Sequence, residues 1–295
     1  MQRDIPVGII GLGLMGTALS ERLIAAEIPV IGFDIDSDRC DQLRENRGTV
    51  AASAGDLAGQ TRTIVMAVYS GTQIEALLGE LETGPARPTI ICTTTCTPDE
   101  IVRLAAHAAK AGFAFVEAPI SGSSAEVRSG TATALVAGEP DAIEAVGALL
   151  NILCPRRTLV GKVGDASRTK LAINLILQNN RAALAEGIVF AERLGLDGRT
   201  FLAAAQDSAA YSRVMDTKGE KMLSRDFRPQ SHISQTLKDA ELILHEAAQL
   251  GLDLAVTGAQ ADLLRAAIAI EGPDSDSAAI IEALRQRPVS PEVVR

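Results

Sequence analysis

The sequence predicts an α/β protein in which a doubly wound, mostly parallel sheet over residues 1–164 is followed by an all-α domain over residues 165–295. Three observations carry this reading. Short apolar runs alternate with amphipathic helical stretches through the first half. A glycine-rich turn joins the first apolar run to the first helical stretch. After Val160 no strand pattern recurs, and Ala, Leu and Ile repeat at helical spacing instead.

The first strand is read over Ile5–Ile10, an apolar run suited to burial on both faces. Gly11, Gly13 and Gly16 follow in G-x-G-x-x-G spacing, and Met15–Ala26 continues as an amphipathic helix. Pro29–Phe33 makes a second strand that ends in Asp34. This is the order of a Rossmann-type dinucleotide-binding unit: the first glycine permits a tight turn, the second admits a pyrophosphate to the backbone, and the third lets helix and strand pack closely. Gly11, Leu12, Gly13, Leu14, Met15 and Gly16 are therefore the expected cofactor loop. Asp34, 18 residues beyond Gly16, is placed to accept hydrogen bonds from the adenine-side ribose hydroxyls. A 2'-phosphate would be repelled there, which favours NAD, although Arg39 nearby leaves NADP open.

Further along, the pattern predicts helices over 38–45, 72–81, 98–111 and 141–150, and strands over 63–68, 89–93, 113–117, 131–138 and 157–160, with a short extended piece at 49–51. Val68 ends its strand, and Tyr69, Thr94, Thr95 and the segment Pro119–Gly122 follow strands, all on the carboxyl edge where doubly wound sheets bind ligands; Val68 and Tyr69 are expected to border the cofactor. The second half reads as helices over 167–194, 198–206, 233–250, 257–270 and 276–285, with the change of pattern near Gly164 and a frayed tail at Pro288–Arg295. The 167–194 stretch is long and rich in small apolar residues, which suits a subunit interface and predicts a homodimer or homotetramer.

Composition narrows the function classes. With 47% hydrophobic residues, the chain has ample material for two cores. A net charge of -9 without a basic tract argues against nucleic acid and anionic membrane surfaces as partners. No apolar run is long enough to span a membrane and no leader pattern opens the chain, so a cytoplasmic location is expected. Cys40, Cys92, Cys96 and Cys154 lack zinc-type spacing, and His107, His232 and His245 are scattered, so no metal is expected. Neither a G-x-S-x-G elbow nor a P-loop ending occurs.

Lys170 and Asn174 stand four residues apart near the start of the long helical stretch, and so share a face. A lysine on a helix is ordinarily solvated. One that is desolvated can exchange a proton with a hydroxyl while hydride moves to or from a nicotinamide. The turn Glu117–Ser124 offers hydroxyls and backbone N–H groups for a carboxylate, if it is more than a connection. Lys238–Asp239 by itself reads as a solvated pair.

Taken together, four ordered stretches resemble the β-hydroxyacid dehydrogenase family, which includes 3-hydroxyisobutyrate dehydrogenase and tartronate semialdehyde reductase. Gly-Leu-Gly-Leu-Met-Gly at 11–16 resembles its cofactor loop, and Glu-Ala-Pro-Ile-Ser-Gly at 117–122 its Asp-x-Pro-Val-Ser-Gly substrate signature. Gly161–Gly164 with Lys170 and Asn174 is similar to its catalytic segment, and Lys238–Asp239 to its late Lys-Asp pair. The resemblance implies an NAD-dependent enzyme acting on a small 3-hydroxy acid, with Lys170 as proton-transferring residue. Ser121, Gly122, Ser123, Asn174 and Asp239 would then attend the substrate, while Thr95 and Lys238 approach the cofactor. Glu117, Ser123, Ala166 and Ser231 depart from the usual residues. With Ser124, His232 and Gln235, the serines suggest a polar substrate such as a sugar acid, because unmatched buried polar groups are costly. Two rivals remain: an imine or semialdehyde reductase on the same scaffold, disfavoured in its imine form by Lys170, and a non-catalytic NAD(H)-binding protein.

Overall fold

The computed structural model describes residues 5–286, so the tail Pro288–Arg295 lies outside the described residues. The chain divides into two compact units, Met1–Lys170 and Leu171–Arg295. Sequence set the change of pattern at the turn near Gly164, whereas the contact division falls inside the helix that follows it.

In the first unit, β1 (Val7–Ile10), β2 (Val30–Phe33), β3 (Thr49–Val50), β4 (Thr63–Met66), β5 (Thr89–Cys92) and β6 (Phe115–Glu117) run parallel in the order β3-β2-β1-β4-β5-β6. The order reverses at β1, and such a switch point opens a crevice at the carboxyl ends of β1 and β4. Three further strands extend the β6 edge: β7 (Ile120–Ser121), β8 (Thr133–Gly138) and β9 (Arg156–Gly161). β8 pairs antiparallel with β6 and β7, and parallel with β9.

Seven helices cover the sheet: α1 (Leu14–Ala25), α2 (Ser37–Glu45), α3 (Ala54–Gln60), α4 (Gly71–Glu82), α5 (Pro98–Lys110), α6 (Ser124–Ser129) and α7 (Pro140–Leu153). Alternate strand residues serve the two faces. Val7 and Ile9 join Leu19, Leu23, Val146 and Leu150 in one apolar layer; Ile10 and Ile64 join Leu57, Ile74, Leu78 and Leu104 in the other. This two-sided burial explains why the parallel strands read as continuous apolar runs rather than alternating ones.

Helix α8 (Asp165–Arg193) carries the chain into the second unit, which continues through α9 (Gly198–Gln206), α10 (Arg213–Ser224), α11 (Ile233–Gln249), α12 (Ala255–Glu271) and α13 (Ile280–Arg285). Its core gathers Leu184, Ile188, Met222, Ile233, Leu264, Ile280 and Ile281. Strand β7 and helices α3, α6 and α10 lie where sequence predicted no element. The stretch 276–285, read as one helix, begins with a 3-10 turn at Ser277–Ala279 capped by Asp276. Among the described residues no helix is long and apolar enough to cross a membrane.

Candidate active site

The glycine loop is shaped by close approach. Gly11 has φ +90°, and a Cβ there would lie 2.7 Å from the Ala67 carbonyl oxygen. At Gly16 a Cβ would fall 1.8 Å from the Gly11 carbonyl oxygen, so α1 can cross the turn only as glycine. Gly13 differs, since a Cβ there would meet only Arg39 Nη1, at 3.8 Å. The space over its backbone is open, as a docking phosphate requires. Capping tells the same story. α2 to α6 are each capped by a side chain, respectively Asp36, Ser53, Ser70, Thr97 and Ser123; α1 and α7 start without one, but α7 carries Asp141 in its first turn whereas α1, starting from Gly13, has no acidic residue there. Its N-terminal N–H groups are left for an anion.

Asp34 closes this loop: its Oδ2 accepts from the Leu12 N–H at 2.6 Å and its Oδ1 from the Asp36 N–H at 3.0 Å. Arg39 Nη1 lies 3.5 Å from Asp34 Oδ2, and its Nε lies 3.2 Å from Asp36. The guanidinium is thus held by two carboxylates beside Gly13. Next along the edge, the Thr94 hydroxyl donates to the Val68 carbonyl at 2.8 Å, and Gln73 accepts from the Tyr69 N–H at 2.8 Å. Thr95 follows directly, half-buried.

Lys170 is 5% exposed, and its Nζ donates to the Ile120 carbonyl oxygen at 2.7 Å, which sets the ammonium beside Ser121 and Gly122. Gly122 has φ +145°, and a Cβ there would lie 2.9 Å from that of Ala132. Position 122 therefore needs glycine. The start of α8 is fixed by Glu117, fully buried at the end of β6. Its Oε1 accepts from the Ser167 N–H and hydroxyl, both at 2.6 Å, and its Oε2 from the Gly164 N–H at 2.7 Å. Burial pushes the Glu117 carboxyl above the usual carboxylate range, with the Ser167 and Gly164 donors opposing the shift.

In the second unit, Asn174 Nδ2 donates to Asp239 Oδ2 at 2.9 Å, and Lys238 Nζ lies 3.5 Å from Asp239 Oδ1. Asp239 thus orients Asn174 as well as Lys238. Gln178 Nε2 donates to the Thr236 carbonyl at 3.2 Å one turn further along the same face of α8. Lys218 and Asp276, buried, pair at 2.7 and 2.9 Å, and Asp276 also accepts from the N–H groups of Gln230 and Ala278. Burial alone would raise the Asp276 carboxyl, but Lys218 and these N–H groups hold it below its ordinary value.

Several side chains enlisted for a polar substrate have partners within the chain. Ser123 caps α6 and exchanges hydrogen bonds with Glu126, Ser231 and Ser277 share a hydroxyl contact at 2.9 Å, and His232 Nδ1 meets the Asp274 carbonyl at 2.9 Å. They do not by themselves demand polar substrate atoms. Unsatisfied groups lie elsewhere, at Asn174 Oδ1, Gln178 Oε1 and Arg181 Nε and Nη1. Sequence reading passed over Ser167, Gln178 and Arg181; the available signal was that they continue, at three- and four-residue steps, the helix face that carries Lys170 and Asn174. Among the described residues no cluster suits a metal, and all four cysteines are free and buried.

Comparison with known proteins agrees with this geometry. The family model for the NAD binding domain of 6-phosphogluconate dehydrogenase matches residues 6–161, and that for the NAD-binding of NADP-dependent 3-hydroxyisobutyrate dehydrogenase matches residues 164–284. The chain is 29% identical to 2-hydroxy-3-oxopropionate reductase of Escherichia coli (strain K12), over 94% of this chain and 96% of that one. The fold matches 3-hydroxyisobutyrate dehydrogenase of Salmonella typhimurium with a TM-score of 0.86 at 22% identity, covering 95% of this chain and 99% of that one. It also matches Psf3, solved with NADP+ and 2-OPP, with a TM-score of 0.85 at 25% identity, covering 94% and 99% of the two chains. With matching models over both units and a dinucleotide loop in which Gly11 and Gly16 are required by close backbone contacts and Gly13 leaves open space, the chain belongs to the β-hydroxyacid dehydrogenase family.

Proposed function

We propose that this protein is an NAD(P)-dependent oxidoreductase that interconverts a small 3-hydroxy acid and its carbonyl counterpart, with Lys170 handling the proton. The single observation that carries the role of Lys170 is its placement: a buried ammonium held by the Ile120 carbonyl, directly beside the Ser121–Gly122 turn. The open backbone at Gly13 and the uncapped start of α1 fit a dinucleotide pyrophosphate, and Asp34 fits the adenine-side ribose. The nicotinamide, when bound, accepts or supplies the hydride. Val68, Tyr69, Thr95 and Lys238 border that cofactor in this reading. Asp34 gives NAD the preference over NADP, and Arg39, already paired with Asp34 and Asp36, is poorly placed to reverse it.

The chain's own residues do the rest. Ser121, Gly122 and Ser123 receive the substrate carboxylate through hydroxyl and backbone N–H groups. Asn174, held by Asp239, positions the 3-hydroxyl. In the oxidation, neutral Lys170 takes the hydroxyl proton as the carbon loses hydride; in the reduction, charged Lys170 returns it. Burying both groups keeps water from competing for the proton.

Solvent-exposed Ile176 and Phe190 on α8, and Leu194 in the turn just after it, at 62%, 66% and 62% exposure, support a homodimer or homotetramer, which light scattering on the purified chain tests. Reduced cysteines suit a cytoplasmic location. An imine reductase reading is weakened by Lys170, and a silent NAD(H) binder by the anchored Lys170 and Asn174. The decisive experiment follows NADH absorbance over a panel of 3-hydroxy acids with NAD and NADP in turn, for wild type and Lys170→Ala. Turnover that falls about 10²–10⁴-fold in the variant while NADH still binds is the expected result. Equal turnover in the two proteins overturns the role of Lys170, and NADH binding without turnover on any acid overturns the reaction.

A further inference from the structure

The helical unit buries a polar stripe that its own contacts leave incomplete. Asn174, Gln178 and Arg181 are 4%, 3% and 6% exposed and follow one another at four- and three-residue steps, so they share one face of α8. Each amide spends its N–H on a partner, Asp239 for Asn174 and the Thr236 carbonyl for Gln178. Both amide carbonyl oxygens, and Arg181 Nε and Nη1, have no hydrogen-bond partner. Native interiors rarely leave such groups unmatched, since each costs about 1–3 kcal/mol.

Charge points the same way. Arg181 lies within the fields of Asp276 and Asp239. Both carboxylates already have bonded or nearby cations, however: Lys218 bonds Asp276 with two contacts, and Lys238 lies 3.5 Å from Asp239. Lys218 and Lys238 thus each form an ion pair with one of these carboxylates, whereas among the described residues no ion pair within 4 Å joins Arg181 to either. Guanidinium donors in a buried site are matched best by a carboxylate or phosphate.

We infer that Arg181, with Gln178 and Asn174, forms a subsite for a substrate oxyanion remote from the reacting carbon, the two amide oxygens receiving hydroxyl protons of the intervening chain. This rests on the hydroxy-acid reading above, in which the 3-hydroxyl sits at Asn174. Seven residues of helix separate Asn174 from Arg181, about 10 Å of rise, and long helical side chains lean back toward the N-terminus and shorten the gap. An acid of about five or six carbons spans that distance, and a three-carbon acid does not. The preferred substrate is therefore a hydroxylated acid with a second acidic end.

The test compares 3-hydroxy acids of matched length that end in methyl, carboxylate or phosphate, using wild type, Arg181→Met and Arg181→Lys. Thermal unfolding of each protein is measured beside this with glutarate and with inorganic phosphate, neither of which reacts. Wild type is expected to favour one oxyanion end over methyl about ten- to a hundredfold in kcat/KM. The better of carboxylate and phosphate identifies the source. Arg181→Met should lose that preference and Arg181→Lys keep part of it, while the matching anion raises the Tm of wild type but not of Arg181→Met. Turnover with no end-group preference, or a preference and anion-dependent Tm rise that survive in Arg181→Met, overturns the subsite while the reaction stands. No turnover on any acid, with a Tm rise that depends on Arg181, leaves the subsite standing and overturns the reaction instead.

Discussion

Glu117→Gln tests whether the position of Lys170 is set from the end of β6. In wild type one carboxylate accepts from the Ser167 N–H, the Ser167 hydroxyl and the Gly164 N–H, at 2.6, 2.6 and 2.7 Å, in a fully buried site. Glutamine keeps the shape and one acceptor. Its amide nitrogen must then face a donor, at best the Gly164 N–H, which leaves that buried group unmatched at about 1–3 kcal/mol. Loss of a negative charge from the first turn of α8 removes about 0.3–1 kcal/mol more. Relief from burying a charge offsets part of this, so the net destabilisation is about 2 kcal/mol, a fall in Tm of about 4–8 °C for a unit of this size. The larger effect is expected in kcat. Lys170 follows Ser167 by three residues on the same helical turn, and a displacement of about 1 Å at a reacting group costs on the order of a hundredfold. KM should change much less, because Ser121 at the end of β7 and Gly122 just after it are not part of α8. Glu117→Asp, which retains the charge and restores the residue common in the family signature, should recover much of the rate. Steady-state kinetics over pH with thermal unfolding measures all three quantities. A Glu117→Gln protein that melts with wild type and keeps its kcat would refute the anchoring argument.

Gly13→Val should separate binding from folding: only Arg39 Nη1 lies within 4 Å of the added Cβ, so the Tm should hold while NADH affinity, read by calorimetric titration, falls at least about tenfold. Lys218→Met removes the cation bonded to the buried Asp276 carboxylate and should cost about 3–5 kcal/mol in urea unfolding, with Asp276→Asn in the same background recovering part of it. Because the folded Asp276 carboxyl is held below its ordinary value, its contribution to stability is present above that value and is lost as pH falls through the lower, folded one. Acid unfolding of wild type should show that loss, and Asp276→Asn should flatten it.

Sequence was most informative where local chemistry and tertiary need coincide. The run β1–α1–β2 was legible because its glycine spacing answers a local need, the Gly11 carbonyl lying where a Cβ of Gly16 would fall, and α8 because Ala, Leu and Ile recur at helical spacing along its 29 residues. Helix α3 carries Gly55 and Gly59, and α10 carries Gly219, which lowers helix propensity in each. At Gly219 the reason is tertiary: a Cβ would stand 2.7 Å from the Leu202 side-chain methyls, so glycine lets Leu202 of α9 seat against α10 without shifting. Strand β7 has two residues, too few for a period-2 pattern, and exists because β8 pairs with it. Helix α6 was hidden in a serine-rich segment that reads as a turn until Ser123 and Glu126 are seen to close a capping box.

The same distinction applies to the site. Lys170 and Asn174 could be singled out because a cation and an amide four residues apart suggest a chemistry. Glu117 stood out only as the first residue of the substrate-signature turn and Ser167 not at all, since their hydrogen bonds span 50 residues of chain and bear on Lys170 through the position of α8. Arg181 had escaped notice because a lone arginine in a helix is ordinarily a solvated ion-pair partner. Burial reverses that expectation. An arginine 6% exposed, with two nitrogens unmatched, carries a stability cost that an apolar residue of similar length would avoid. Arg181→Met should therefore raise the Tm of the ligand-free protein even as it removes discrimination between substrates. If the guanidinium instead braces the fold, held by the fields of Asp239 and Asp276, the same substitution lowers the Tm, and the excess charge on this face of α8 is structural.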